Sequence, residues 1–388
     1  MNRFRSLFLL DPEVIFLNHG SFGACPKPVF AAYQGWQRRL EEQPVLFLGR
    51  EFADLLISAR QKLGAFLGAE ADDLVYIPNA TYGVNIIAHS LRIQPGDEIL
   101  STDHEYGACD NTWEFICRKT GGKYIHQPIG LPVDSVETFV NQFWRGVNRR
   151  TKLIFLSQIS SPTAQRFPVE LVCQRARQSG ILTFIDGAHA PGQISLDLEA
   201  IGADFYTGNC HKWMLSPKGA AFLYVRRENQ PLVEPLVVSW GYSADEKTTT
   251  GSRFIDLLQW TGTHDPSAAL SVPKAIEFMQ ENHWDQVRQD CHVLLRQALI
   301  RIQDLTGLPT AYAASEQPCT LPPQLAIAPL PQSTDLVALK ASLYDQFHIE
   351  VPLIEWNGHK FMRLSVQAYN SQADLDALME GLKVLLRS

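Results

Sequence analysis

From about Leu55 onward, short apolar runs alternate with stretches whose apolar residues recur at helical spacing, and this alternation restricts the fold more than any other feature. Strands buried on both faces read as continuous apolar runs, whereas a helix lying on a sheet shows one apolar stripe. The strand candidates are Leu74-Val75-Tyr76-Ile77, Ile99-Leu100, Lys152 to Ser157, Ile181 to Asp186, Asp204 to Thr207 and Ala220 to Val225. Helical spacing recurs at Leu56, Ala59, Leu63, Phe66 and Leu67 as far as Gly68, at Val84, Ile87, Ala88 and Leu91 after Thr81, and again over Leu171 to Gln178. Pro95-Gly96-Asp97 supplies a turn, and Pro217-Lys218-Gly219 precedes the last strand candidate. Such a succession predicts an α/β unit on a largely parallel sheet.

The pattern changes near residue 265. Helices are expected across Ala268 to Gln280 and Trp284 to Gln303. A stretch with Pro318, Pro322, Pro323, Pro329 and Pro331 reads as a connection inside a smaller domain, because apolar residues continue through it. A strand at Lys360 to Val366 and a helix from Ala373 close the chain, with Ser371 and Asp374 as a capping box. The expected division is an N-terminal segment over 1–15 packing on the small domain, a large domain over 16–265, and a smaller α+β C-terminal domain over 266–388.

Bulk properties narrow the function. The chain has 388 residues, 45% of them hydrophobic, and a net charge of -7. That mild acidity gives no electrostatic reason to expect nucleic acid or an anionic membrane as partner. No apolar run approaches the ~20 residues of a spanning helix, and Asp11 and Glu13 cut short the apolar run after Arg3 and Arg5, so no export signal is read. Seven cysteines without paired spacing argue for a reducing cytoplasm, and no two-cysteine or two-histidine spacing suggests a metal. Neither a Gly-x-Ser-x-Gly elbow nor a Gly-x-Gly-x-x-Gly turn occurs, which disfavours hydrolase and nicotinamide chemistry.

Two strand candidates carry chemistry at their ends. Ile181 to Ile185 runs into Asp186-Gly187-Ala188-His189, and Asp204 to Thr207 leads into Asn209-Cys210-His211-Lys212-Trp213. An acid and a lysine at the ends of neighbouring strands are the pair that pyridoxal phosphate needs: an amine for its aldehyde and a carboxylate for its ring nitrogen.

With the early run Leu17-Asn18-His19-Gly20-Ser21-Phe22-Gly23-Ala24-Cys25-Pro26, these motifs resemble class V of the fold-type I pyridoxal-phosphate enzymes, within it most the isopenicillin N epimerase-like branch, with cysteine desulfurases and cystine C–S lyases as relatives. The resemblance runs from Asn18 to the final helix. It implies a large domain with a mainly parallel, seven-stranded-type sheet, and pyridoxal 5'-phosphate as cofactor. It also implies a homodimer with shared active sites and a small amino-acid-type substrate. Lys212 is then the Schiff-base lysine, Asp186 the partner of the pyridine nitrogen, and His189 the neighbour of the phenolic oxygen. Ser161 matches a second such contact and reads equally well as a loop serine. Ala80, Thr81, Asn209 and His211 match phosphate positions, Thr81 serving also as a candidate N-cap, and Thr263 matches a segment that reaches the phosphate of the partner subunit. Tyr106 is expected to stack on the ring, with His104 its rival through a shifted register. Arg363 matches the arginine that grips the substrate carboxylate, and Asn18 and His19 are expected to line the same entrance.

The activity implied is chemistry at the α-carbon of an amino acid or small peptide, as in isopenicillin N epimerases. The alternative is a cysteine or cystine C–S lyase, and the non-enzymatic alternative is a catalytically silent cofactor-binding protein. No cysteine occurs between His348 and Arg363, Cys319 being the nearest in that region, so a persulfide-forming desulfurase is disfavoured.

Overall fold

The computed structural model describes residues 3–243, 250–313 and 321–386, so Pro318 and Cys319 lie outside the described residues. Twelve strands are formed among them: β1 Ile15–Phe16, β2 Leu74–Ile77, β3 Glu98–Thr102, β4 Lys123–Gln127, β5 Thr151–Ser157, β6 Leu182–Asp186, β7 Phe205–Asn209, β8 Ala221–Val225, β9 Leu325–Pro329, β10 Ile349–Glu350, β11 Leu353–Trp356 and β12 His359–Ser365. Seven of them make one sheet in the order β2-β8-β7-β6-β5-β3-β4, in which β8 alone runs against the others. The reversal follows from chain length: Cys210 to Ala220 is too short to hold the crossover helix that a parallel connection requires.

Alternation along the strands feeds two apolar layers. Leu153 and Phe155 of β5, Phe184 of β6 and Phe205 of β7 face one layer with Val84, Ile87, Trp113 and Ile116. Ile154, Leu156, Ile185 and Tyr206 face the other, with Val172, Cys173 and Ala176. Both faces of the sheet are thereby covered by helices, the requirement of a parallel sheet. The helix predicted up to Gly68 spans Phe52–Leu67 and ends there, with Gly68 left-handed at φ 64. The helix predicted after Thr81 spans Ala80–Ser90, but its N-cap is Asn79, whose side chain accepts from the Tyr82 N–H.

A second, antiparallel sheet has the order β11-β12-β9, and a two-stranded parallel sheet joins β1 to β10. Two expectations are corrected by the structure. The single helix expected over Ala268 to Gln280 is two, Ser267–Leu270 and Val272–Glu281, parted at Ser271. The proline-rich connection contains β9, an edge strand where Pro329 is tolerated at the terminus. The edge strand β4 was not predicted at all. The capping box of Ser371 and Asp374 forms at the helix Gln372–Leu385. No helix among the described residues is long and apolar enough to cross a membrane.

Candidate active site

Parallel strands present their carboxyl ends on one side, and ligands of open α/β sheets bind in the crevice there. Ser157 ends β5, Asp186 ends β6 and pairs with Thr207, and Asn209 ends β7. A cleft of about 400 Å³ opens over these ends, lined by Ala80, Thr81, Tyr106, Ser161, Asp186, His189, Asn209, His211 and Lys212 among others. Nine residues singled out from the sequence, separated by up to 132 positions, therefore meet on one cavity.

Two glycines let the floor close. A Cβ on Gly23, whose φ is +73, would fall 1.9 Å from the His211 carbonyl oxygen, so the early glycine-rich run lies directly on the backbone of His211 and Lys212. At Gly187 a Cβ would fall 2.0 Å from the Tyr206 hydroxyl, which leaves glycine the residue that fits after Asp186.

Lys212 is half-buried, and its amine is lowered to about 8, first by desolvation and then by the Arg363 charge, against the pull of Asp186. Its Nζ lies 3.1 Å from His189 Nε2. Asp186 is the one carboxylate among the described lining residues. Burial raises its pKa, while the Ala188 N–H at 2.8 Å, Lys212 and the Cys109 thiol at 3.6 Å work the other way. Just behind it, buried Glu105 is pushed up to about 7 by burial although Ser157 (N–H 2.9 Å, Oγ 2.5 Å) and Thr102 Oγ1 (2.6 Å) donate to it. His211 is lowered to about 4 by burial, with Lys212 adding to the effect.

The Ala80 N–H donates to Asn209 Oδ1 at 2.9 Å, tying the start of the helix Ala80–Ser90 to the end of β7. Neither the backbone N–H nor the hydroxyl of Thr81 meets an acceptor among the described residues. Arg363, on β12, reaches across from the second sheet: Nη1 donates to the Ser161 carbonyl (2.6 Å) and Oγ (3.1 Å), and Nη2 to Ser21 Oγ (3.0 Å). Its Nε is buried without an acceptor among the described residues.

A family model described as Aminotransferase class-V matches residues 23–378. The chain belongs to the class-V aminotransferase family. An isopenicillin N epimerase from Amycolatopsis lactamdurans is 34% identical over 97% of this chain and 96% of its own. A probable chloroplastic L-cysteine desulfhydrase from Arabidopsis thaliana is 29% identical over 97% of this chain and 84% of its own. Among solved structures, the cystine C-S lyase C-DES complexed with cysteine persulfide matches with a TM-score of 0.80 at 21% identity, covering 96% of this chain and 98% of its own. The folds of this class-V enzyme and C-DES are therefore alike, and one further C-DES structure carries glycine linked to a PLP cofactor.

Four expected site residues lie off the lining of the class-V cleft. Arg363 stands behind it, through Ser21 and Ser161. His19 and Asn18, expected to line the entrance, are buried beneath it instead. The His19 ring bonds Tyr369 Oη (3.0 Å) and the Lys212 carbonyl (3.1 Å), and burial lowers it to about 3. Asn18 donates to Glu350 and accepts from Ser21 Oγ. Both are drawn inward because Asn18 bridges to Ser365 of β12. Thr263 is exposed and away from the cleft. His104, the rival of Tyr106, is buried against Trp356, with its nitrogens at Thr163 Oγ1 and the Ile129 carbonyl. Lining residues given no role from the sequence include Ser21, Phe22, Ser157 and Lys218, whose Nζ donates to the Gly23 carbonyl. The strand end at Ser157 and the glycine-rich run around Ser21 were the available signals.

Proposed function

We propose that this class-V enzyme binds pyridoxal 5'-phosphate in the cleft and acts at the α-carbon of an amino acid or small peptide, in the manner of an isopenicillin N epimerase. The observation that carries the reading is that Lys212 and Asp186, from adjacent parallel strands, open on one cleft beside donors without protein acceptors. When bound, the cofactor supplies an electron sink for the pair left at the α-carbon.

The donor set fits such a group. Thr81 N–H and Oγ1, at the start of an eleven-residue helix, and the nearby side chains of Asn209 and His211 hold the phosphate. Asp186 holds a proton on the ring nitrogen. With its pKa about 8 instead of 10.5, Lys212 offers roughly 300-fold more free amine at neutral pH than an ordinary lysine. Lys212 Nζ would hold the cofactor through its aldehyde and, once released by the incoming substrate amine, would carry the α-proton. Tyr106, half exposed on the cleft, would cover the cofactor, and Ser161 and His189 would supply polar contacts to it. Arg363 has no acid partner among the described residues, and it grips the substrate carboxylate by exchanging its contacts to Ser21 and Ser161.

Thr263 serves the partner subunit's phosphate in a homodimer; its exposure supports this role. The six described cysteines are unpaired, which supports a reducing cytoplasm. Borohydride reduction of the yellow protein followed by peptide mapping tests the reading: label on Lys212 supports it, and label elsewhere sinks it.

Cysteine or cystine C–S lyase is the second reading, favoured by the L-cysteine desulfhydrase relatives. No cysteine is among the described lining residues, so a thiolate leaves without transfer to a protein sulfur. Pyruvate and ammonia from L-cystine would displace the epimerase reading. Loss of optical rotation of an amino acid without cleavage would displace the lyase.

A further inference from the structure

Trp213 follows Lys212 directly, is wholly buried and does not line the cleft. Its Nε1 lies 3.3 Å from Nδ1 of His189, whose other ring nitrogen lies 3.1 Å from Lys212 Nζ. An indole N–H can only donate. The Nδ1 it meets must therefore carry a lone pair, and a neutral imidazole in that state bears its proton on Nε2. We propose that Trp213 fixes His189 as the Nε2–H tautomer, so that His189 offers the cleft an N–H donor and leaves proton transfer to Lys212.

The surroundings agree from every side. A second proton on His189 would set N–H against the indole N–H. Burial disfavours the cation most, and the neighbouring titratable groups Lys212, Arg363, His211 and His19 add to the effect. An Nε2–H pointing at Nζ is satisfied by Lys212 when its amine has the lone pair free; below about pH 8, where the ammonium prevails, the Trp213 N–H alone holds Nδ1 unprotonated. His189 therefore serves as a hydrogen-bond donor and is excluded as a general base.

The indole is held in turn by the early glycine-rich run. The His19 ring packs on it at a centroid distance of 4.9 Å, and a Cβ on Gly20 would come within 3.4 Å of its Cζ2. His19 has a fixed tautomer too. The Lys212 carbonyl can only accept, so His19 Nε2 carries the proton and Nδ1 accepts from the Tyr369 hydroxyl. Trp213 is thus a positioning residue that couples the segment around His19 to the imidazole beside Lys212.

The catalytic meaning rests on the pyridoxal-phosphate reading, whereas the tautomer does not. Nitrogen-15 NMR of the full chain, labelled at its eleven histidines and recorded with and without pyridoxal phosphate, tests it. The His189 signals are identified by their loss in His189→Asn. We expect an unprotonated Nδ1 and a protonated Nε2, unchanged from about pH 5 to about pH 8, where a free imidazole titrates. In Trp213→Phe, which keeps an aromatic ring but no donor, the two nitrogens should shift toward a tautomer mixture that titrates. Trp213→His, which restores an N–H, should bring the wild-type pattern back. A protonated Nδ1 in the wild type overturns the proposal, as does a Trp213→Phe spectrum identical to wild type. Should borohydride label a residue other than Lys212 while the tautomer holds, the cofactor reading falls and the tautomer stands.

Discussion

Replacing Arg363 by methionine separates a functional cation from a structural one. Arg363 is 6% exposed, and among the described residues its guanidinium bonds only uncharged oxygens, at Ser161 and Ser21. Burial lowers its pKa from 12.5 to about 10, so keeping it charged at neutral pH costs the fold about 3 kcal/mol at ~1.4 kcal/mol per unit. The sign is that of a base with a depressed folded pKa: the penalty is complete below about pH 10 and fades as pH rises toward 12.5. Hydrogen bonds to the three oxygens, worth ~1.5–3 kcal/mol each for a charged donor, offset it. Methionine removes both terms, retains most of the apolar stem, and leaves hydroxyls that can turn to other partners. The net change in stability should stay within about 1 kcal/mol of zero. Substrate binding should suffer far more, because a carboxylate loses two charge-assisted bonds, about 3 kcal/mol or roughly 100-fold in affinity. Thermal unfolding and spectral titration with an amino-acid panel measure the two effects separately. The expected result is a Tm within about 3 °C of wild type and roughly 100-fold weaker amino-acid binding, with the cofactor retained. Stabilisation by the amino acid, about 2.7 kcal/mol at a hundred times Kd in the wild type, should fall to about 0.4 kcal/mol at the same concentration. A variant that loses about 3 kcal/mol of stability yet binds amino acids within about threefold of wild type would refute the reasoning and make Arg363 a structural residue.

Three further outcomes are expected. Lys212→Ala should lose the visible absorption of lysine-bound cofactor and all borohydride trapping; a persisting band with normal turnover would remove Lys212 from its role. Capture of pyridoxal phosphate by the cofactor-free protein should quicken about tenfold per pH unit up to about 8, as the Lys212 amine sheds its proton, and level off above. Stopped-flow absorbance checks this, and a flat profile below pH 8 would contradict it. Gly23→Ala should destabilise the fold by at least about 3 kcal/mol, since the new methyl meets the His211 carbonyl at 1.9 Å and the backbone at φ +73 resists a side chain; an unchanged Tm would mean that the early run does not lie on the lysine segment.

Much of the large sheet is legible in the sequence because β5 to β8 are buried on both faces and carry almost unbroken apolar runs. Strand β4 escapes for the opposite reason. It is an edge strand, and Lys123-Tyr124-Ile125-His126-Gln127 keeps exposed and half-buried polar positions that look like a loop. Strand β9 hides among prolines, since only its terminal Pro329 needs the tolerance of an edge. The helix Lys27–Glu42 buries only Val29 and Leu40, so its stripe falls below what periodicity can register.

The candidate site divides along the same line. Asp186, Asn209 and Lys212 sit at or just past the ends of two strands that pair directly, so a sequence that announces those strands also announces their neighbourhood. The half facing the substrate is different in kind. Ser21, Ser161 and Arg363 meet across sequence separations of 202 and 342 residues, through a guanidinium that crosses from one sheet to the other, and no local pattern encodes such a meeting. His19 shows the consequence. The same glycine-rich run that sets Ser21 on the cleft turns the histidine two residues earlier inward, against Trp213 and the Lys212 carbonyl. A motif thus locates the chain segment but not the direction of each side chain, which depends on the β12 strand it packs against. On the proposed reading, cofactor chemistry is read from strand ends, whereas substrate choice depends on contacts between distant segments. Substitutions that change specificity should therefore cluster at Ser21, Ser161 and their neighbours on the Arg363 side, and leave the Asp186–Lys212 pair untouched.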